Sequence, residues 1–346
     1  GKVPQVNDLI ALALRHKSIA VVGMGKNTGK TVTVNCLVAG AAKTGISLGL
    51  TSTGRDGETA DIVSAQPKPA IYLPEEAVLA TSVASLSRGT ARLEILAATG
   101  IYNALGEIVI ARVREAGSVE VSGPERTKDL REIIARLQGI ADLVIADGAI
   151  DRIAASAPSV TEAAILATGA VLGGDAQKVI DLTVHAARVL MTPAVTDISE
   201  QGAQLLEMGQ IGVQNDRDEV KIIPLLTALD APPEILDYLS PEFNCLLVGG
   251  ALSDPLAELL LQASWKVPGL KVIVRDGTRI FVEPARWQRL LRRVAVRAAQ
   301  PIELIAVTVN PVDPRGRRLP GRQLVGGLRE LMPELLIVDP MAEGGL

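Results

Sequence analysis

Aromatic residues are nearly missing from this chain, with two tryptophans, three tyrosines and two phenylalanines among 346 residues. Its core must therefore be aliphatic, and without Tyr or Phe interleaved with Arg no stacking of nucleic-acid bases is expected. Cysteine is scarcer still. Cys36 and Cys245 lie far apart in apolar segments, and neither has a partner at metal-ligand spacing, so a zinc-type cluster is excluded and two buried, inert thiols are expected. Charge of one sign is lacking too: the net charge is only −4. No basic face is strong enough to hold a phosphate backbone, which removes nucleic acid from the expected partners. No apolar run reaches the roughly 18 to 20 residues needed to cross a bilayer. The N-terminus also lacks the basic-then-apolar design of a leader, so no membrane partner and a cytoplasmic location are expected. Of the two histidines, His16 reads as a helix-end cation, and His185 has no acid or cysteine at catalytic spacing.

What is present is a soluble, globular composition, 48% apolar and 21% charged, in a chain long enough for two domains. The most informative stretch is 18–35. Ile19 to Val22 form the short apolar run of a buried parallel strand, which stops at Gly23. A glycine-rich polar turn then leads into a helix predicted over 29–43, with Val34, Leu37, Val38 and Ala41 on its buried face and Gly45 ending it. A strand–loop–helix of this kind aims successive main-chain N–H groups and the positive helix end at one point, where a di- or triphosphate can sit. Gly25, Lys26, Asn27, Thr28, Gly29, Lys30, Thr31 and Val32 are the candidate nucleotide-binding residues, with Lys30 on the outer phosphates and Thr31 on a magnesium ion. One departure is Met24, where the usual phosphate-loop signature has glycine.

Two further strand ends carry acids. The segment 143–149 is an apolar strand closing on Asp147-Gly148-Ala149, which would set a carboxylate behind the magnesium ion, and Asp151 and Arg152 follow at once. The strand over 47–53 delivers Arg55, Asp56 and Glu58 to the same carboxyl edge, where open α/β sheets bind ligands. Asp56 is thus a second candidate for the metal or its water, although Asp56-Gly57 also reads as a plain turn. Lys30, Asp56 and Asp147 are the candidate catalytic residues, and Thr31, Asp147 and Asp56 the candidate metal ligands.

Elsewhere the pattern predicts a helix over 75–86, buried strands over 92–97 and 107–112, and an amphipathic helix over 127–137. A strand over 163–167 ending at Thr168 and a helix over 175–190 follow. Prolines at 193, 224, 232, 233 and 241 suggest a linker near 192–243, with a short hairpin pairing 211–213 and 220–223. Beyond it strands over 245–248, 271–274, 302–309 and 335–338 alternate with helices over 255–262, 285–297 and 320–332. Asp276-Gly277 is a hairpin signal there, and Arg315, Arg317 and Arg318 crowd a loop after Asn310-Pro311. The expected architecture is α/β: a P-loop nucleotide-binding domain with a mainly parallel sheet over 1–195, then a smaller α/β domain containing an antiparallel hairpin over 196–346.

Gly23 followed by Gly29-Lys30-Thr31 resembles the phosphate loop of dethiobiotin synthetase and its relatives, the cobyrinic acid amide synthases and the MinD-type ATPases. Lys26 sits one place later than the signature lysine of the MinD type, and Ile150 stands where the dethiobiotin synthetase group has the final glycine of acid-Gly-Ala-Gly. A closer resemblance runs along most of the chain. The loop, Thr51-Ser-Thr-Gly-Arg-Asp-Gly-Glu58, the segments 105–112, 147–152 and 165–170, and Thr308-Val-Asn-Pro311 are together similar to the KamB-type subunit of the reactivase of adenosylcobalamin-dependent lysine 5,6-aminomutase. That resemblance implies an ATPase that uses turnover to expel damaged cobalamin, with the second domain as docking surface. It implies a protein partner, an aminomutase or second reactivase subunit, and leaves room for a homo-oligomer. ATP and Mg2+ are the expected cofactors, since most resembling families use ATP and no Asn-Lys-x-Asp guanine-reading string occurs. A ligase phosphorylating a small carboxylate, as in dethiobiotin synthetase, and a nucleotide binder without turnover are the alternatives.

Overall fold

The computed structural model describes residues 5–53, 70–148, 160–225 and 231–342. They form two compact units, one of residues 1–186 with 303–346 and the other of 187–302. Among the described residues no helix is long and apolar enough to cross a membrane.

The first unit opens with α1 (Val6–Ala13), β1 (Ser18–Gly23), α2 (Lys30–Thr44), β2 (Leu48–Ser52), β3 (Ile71–Leu73) and β4 (Val78–Ser82). It continues through β5 (Arg92–Asn103), β6 (Gly106–Glu115), β7 (Gly117–Val119), α3 (Thr127–Gln138), β8 (Leu143–Gly148), β9 (Ala163–Gly169) and α4 (Ala176–Leu190). The second unit supplies α5 (Glu200–Glu207), β10 (Ile211–Gln214), β11 (Val220–Ile223), α6 (Ile235–Tyr238), β12 (Cys245–Val248), β13 (Leu252–Ser253) and α7 (Asp254–Ala263). It is completed by β14 (Lys271–Val274), β15 (Ile280–Phe281), α8 (Pro284–Leu291) and β16 (Ala295–Ala298). The chain then returns to the first unit with β17 (Leu304–Asn310), α9 (Gly321–Leu331) and β18 (Leu336–Val338).

A nine-stranded sheet, ordered β18-β17-β9-β1-β8-β2-β4-β6-β5, carries the first unit. From β18 to β4 all neighbours are parallel, and only the β4–β6 and β6–β5 pairs are antiparallel. Every residue of β1, β8 and β9 is buried, which is why these strands read as unbroken apolar runs rather than alternating ones. Leu37 of α2, Ile19, Leu50, Ile145 and Ile165 share one aliphatic cluster, each such side chain stabilising the fold by about 1.5–3 kcal/mol on burial. On α3 the buried face is Leu130, Ile133, Ile134 and Leu137, at the expected three- and four-residue spacing.

Several expectations are corrected. The helix predicted over 75–86 is instead strand β4 and a 3-10 turn, because 78–82 pairs with β6 on one side and β2 on the other. The strands predicted as buried over 92–97 and 107–112 are the two arms of a hairpin, and β5, its outer arm, is largely exposed. The domain boundary also moves. Residues 304–338 do not belong to the second unit, as the 196–346 division expected, since β17 pairs parallel with β9 and β18 with β17. The stretch proposed as a linker, 192–243, contains α5, β10, β11 and α6.

In the second unit the sheet order is β11-β10-β12-β14-β16, with β12, β14 and β16 parallel and β10 antiparallel to both neighbours. The antiparallel element comes from the 211–223 hairpin and not from Asp276-Gly277. Asp276 accepts from the Thr278 amide at 2.9 Å and caps a 3-10 turn, after which β15 pairs parallel with β13. The helix predicted over 285–297 ends at Leu291, and Val296 is buried on the edge strand β16. Leu246 packs into the larger core of this unit and Leu247 into the smaller one, so alternate residues of β12 serve opposite faces.

Both thiols are buried, as the sequence suggested. Burial pushes the Cys36 thiol up, and burial pushes Cys245 up to about 12 against the opposing pull of Lys271. A thiolate is the reactive form, so native protein treated with a chromogenic disulfide at pH 8 should release almost no thiol in an hour. The same protein in denaturant should release both within minutes; rapid labelling of the native chain would contradict the burial.

Candidate functional site

The site lies at the carboxyl edge of the nine-stranded sheet. Since β8 and β9 are consecutive strands placed on opposite sides of β1, the chain end of β1 opens where ligands bind in open α/β sheets. Register brings the strand ends together: Val22 lies opposite Gly148, Gly23 opposite Ala167, and Asn310 opposite Gly169.

The loop leaves β1 with the Met24 amide still donating to the Ala167 carbonyl at 2.9 Å. Met24 at the signature glycine position is thereby accommodated as a continuation of the strand pairing. Asn27 has φ 61° and Gly29 has φ 90°, while Thr28 between them keeps a negative φ. Alternating hand over successive residues turns their N–H groups to one side, which makes a nest for an anion. Thr28 is 1% exposed, and its hydroxyl donates to the Gly25 carbonyl at 2.9 Å, closing the loop on itself. The main-chain amides of Asn27, Thr28, Gly29, Lys30 and Thr31 find no acceptor among the described residues. At Gly29 the left-handed backbone alone favours glycine, and an added Cβ would lie 3.0 Å from Asn310 Cβ.

Lys30 stands at the first position of α2 and crosses to β8. Its Nζ donates to the Gly148 carbonyl at 2.5 Å and lies 3.5 Å from Asp147 Oδ1. Asp147 is only 3% exposed, so its carboxylate is held in the sheet edge with an ammonium at short range. On its other side Ser52 of β2 is its register partner, and the Thr53 amide donates to the Asp147 carbonyl at 2.9 Å. Thr31 follows Lys30 in the first turn of α2, half-buried. The structure thus brings together the loop 25–31, Lys30 and Asp147. Asp56, with Arg55 and Glu58, and likewise Asp151 and Arg152, lie outside the described residues.

Asn310 and Thr308, at the end of β17, are the site residues that sequence reasoning did not connect to the loop. The Asn310 amide reaches the Asn27 carbonyl at a long 3.4 Å, and Thr308 Oγ1 lies 2.8 Å from Thr33 Oγ1 of α2. The Asn-Pro dipeptide marks a strand end in sequence, but only the pairing of β17 with β9 places it beside the loop. A shallow cleft follows, lined by Thr28, Val32, Thr33, Asn310, Pro340 and Met341. Thr168 does not face it: its hydroxyl is buried against Thr183 at 2.7 Å. Arg317 also serves the fold, donating to the carbonyls of Gly174 at 2.8 Å and Ala170 at 3.3 Å. Among the described residues no three His, Cys, Asp or Glu side chains gather as a metal cage. Comparison of the chain with protein-family models, with curated proteins and with solved structures gave no match.

Proposed function

We propose that the chain binds a magnesium nucleotide, ATP by preference, at the loop 25–32 and hydrolyses it in the service of a protein partner. The observation that carries this reading is the run of amides, without an acceptor among the described residues, curled between left-handed Asn27 and Gly29 at the head of α2, with Lys30 and buried Asp147 beside it. A polyphosphate satisfies such amides, and the helix end favours its charge. Lys30 would exchange the Gly148 carbonyl for a phosphate oxygen, Thr31 would offer a hydroxyl to magnesium, and Asp147 would offer a carboxylate. A cation that keeps most of its waters and takes phosphate oxygens needs no larger set of protein ligands. When bound, the magnesium nucleotide supplies a transferable phosphoryl group, and the role of this chain is to fix and neutralise it.

The sequence motifs shared with the KamB-type reactivase subunit support an adenosylcobalamin-dependent lysine aminomutase as the partner, and a cytoplasmic setting goes with that reading. A fluorescent ATP analogue tests the first step. Retention with magnesium is expected, weakened at least tenfold by a chelator and by competing ATP more than by competing GTP; no retention at any nucleotide concentration refutes the assignment. Hydrolysis measured with and without a mutase then decides the use. Stimulation by the mutase supports reactivation, and turnover only with a small carboxylic acid would redirect the reading to a ligase of the dethiobiotin synthetase kind.

A further inference from the structure

Charge is unevenly spread along the helix pair of the second unit. Along these helices Arg286 lies 2.7 Å from Asp254 and 3.3 Å from Glu258, and Arg289, in the last turn of α8, lies 3.7 Å from Glu258. The residues just beyond the helices differ. There Lys266, Arg292 and Arg293 are exposed, and among the described residues no carboxylate pairs with them. Cations at helix C-termini are favoured by the helix dipole, so their presence alone means little.

The aromatic beside them carries more weight. Trp265, directly after α7, is 75% exposed in a chain with only two tryptophans, the other being Trp287, which is buried. Arg293 lies flat on it, 3.4 Å from the ring centre, and its Nε donates to Ser264 Oγ at 3.0 Å. The guanidinium therefore fastens the end of α8 to the end of α7 and holds the indole in one orientation, with its face already matched to a cation. Leu291, two residues earlier, is 48% exposed. Trp and Arg are among the residue types that dominate protein–protein binding energy.

We infer that Trp265, Leu291, Lys266, Arg292 and Arg293 form a docking surface for an acidic segment of a partner protein, one that carries an apolar side chain among its carboxylates. Complementarity selects this occupant: the patch offers cations that have no carboxylate partner among the described residues, set around an apolar centre, and a segment of opposite charge neutralises them while covering the indole. Nucleic acid fits less well, since three cations are too few to follow a phosphate backbone and the chain as a whole is negative.

The full chain can be titrated with a fluorescein-labelled peptide alternating Glu and Leu, with a Lys-for-Glu version of the peptide, a uridine oligonucleotide and phosphatidylserine vesicles as comparisons. Binding of the acidic peptide is expected to change Trp265 fluorescence, to weaken at least tenfold in Trp265→Ala and in Arg292→Glu, and to fade between 50 mM and 500 mM salt. Both sites are exposed, and unchanged melting of either variant confirms that folding is intact. Equal binding of the basic peptide, binding untouched by both substitutions, or tighter binding of the oligonucleotide or vesicles would overturn the assignment. So would self-association of the chain that Trp265→Ala abolishes, which would make the occupant a second copy.

Discussion

Lys30→Ala should retain no measurable nucleotide, a loss of at least a hundredfold. The ammonium lies 3.5 Å from Asp147, and its removal takes away the charge proposed to meet the outer phosphates. A second effect accompanies the first. Asp147 is buried, and withdrawing the neighbouring ammonium from a buried carboxylate costs roughly 3 kcal/mol of stability, so the variant should also melt earlier. The two effects separate in the double variant Lys30→Ala with Asp147→Asn, where no buried charge is left exposed to its own field. Thermal melts of that protein should return most of the way to the parent, while displacement of a fluorescent ATP analogue still shows no binding. Nucleotide held within threefold of the parent by Lys30→Ala would remove Lys30, and with it the proposed phosphate site.

Gly123→Ala should be the most damaging single methyl at the described glycines of the first unit. A Cβ at Gly123 would stand 1.8 Å from the Ser52 carbonyl oxygen, with the Ser52 carbonyl carbon at 2.7 Å, and main chain cannot swing aside as a side chain can. Gly123 also accepts from Asn103 at 2.9 Å and donates to Ser52 Oγ at 3.1 Å, so relieving the clash breaks contacts on both sides. A loss of about 3 kcal/mol is expected from such overpacking, which at about 2–4 °C per kcal/mol is visible in any melt. Because Ser52 is the register partner of Asp147, displacement should reach the site as well, weakening nucleotide binding while Gly139→Ala, near only one carbonyl at 3.2 Å, leaves it unchanged. Equal melting temperatures for Gly123→Ala and the parent would contradict the packing described.

The candidate site was readable in sequence where local pattern and final position coincide. Ile19 to Val22 are apolar because β1 is buried on both faces, and the Gly, Lys and Thr after them are the residues that a strand-to-helix anion loop requires. Asp147 was readable for a similar reason, as an acid closing a buried strand. Misreadings arose where distant pairing decides the conformation. Val78 to Ser82 follow Pro74 and two glutamates, a fair helix opening, yet their backbone is claimed by β6, some thirty residues on. Likewise 295–298 continues an amphipathic run in sequence, but pairing with β14 extends it. Nothing in the residues of β17 announces which sheet they join, and for that reason Asn310 was seen as a strand end without its neighbour Asn27.

The insertion of the second unit between α4 and β17 imposes an order in time. A ribosome makes β1, the loop and Asp147 early, then spends roughly ten seconds on 187–302 before β17 emerges. Throughout that pause the nascent sheet ends at β9 with its ladder open, and the loop has no Asn310 to brace it. The proposed nucleotide site is thus expected to gain its last neighbour only in chains whose translation has run past β17.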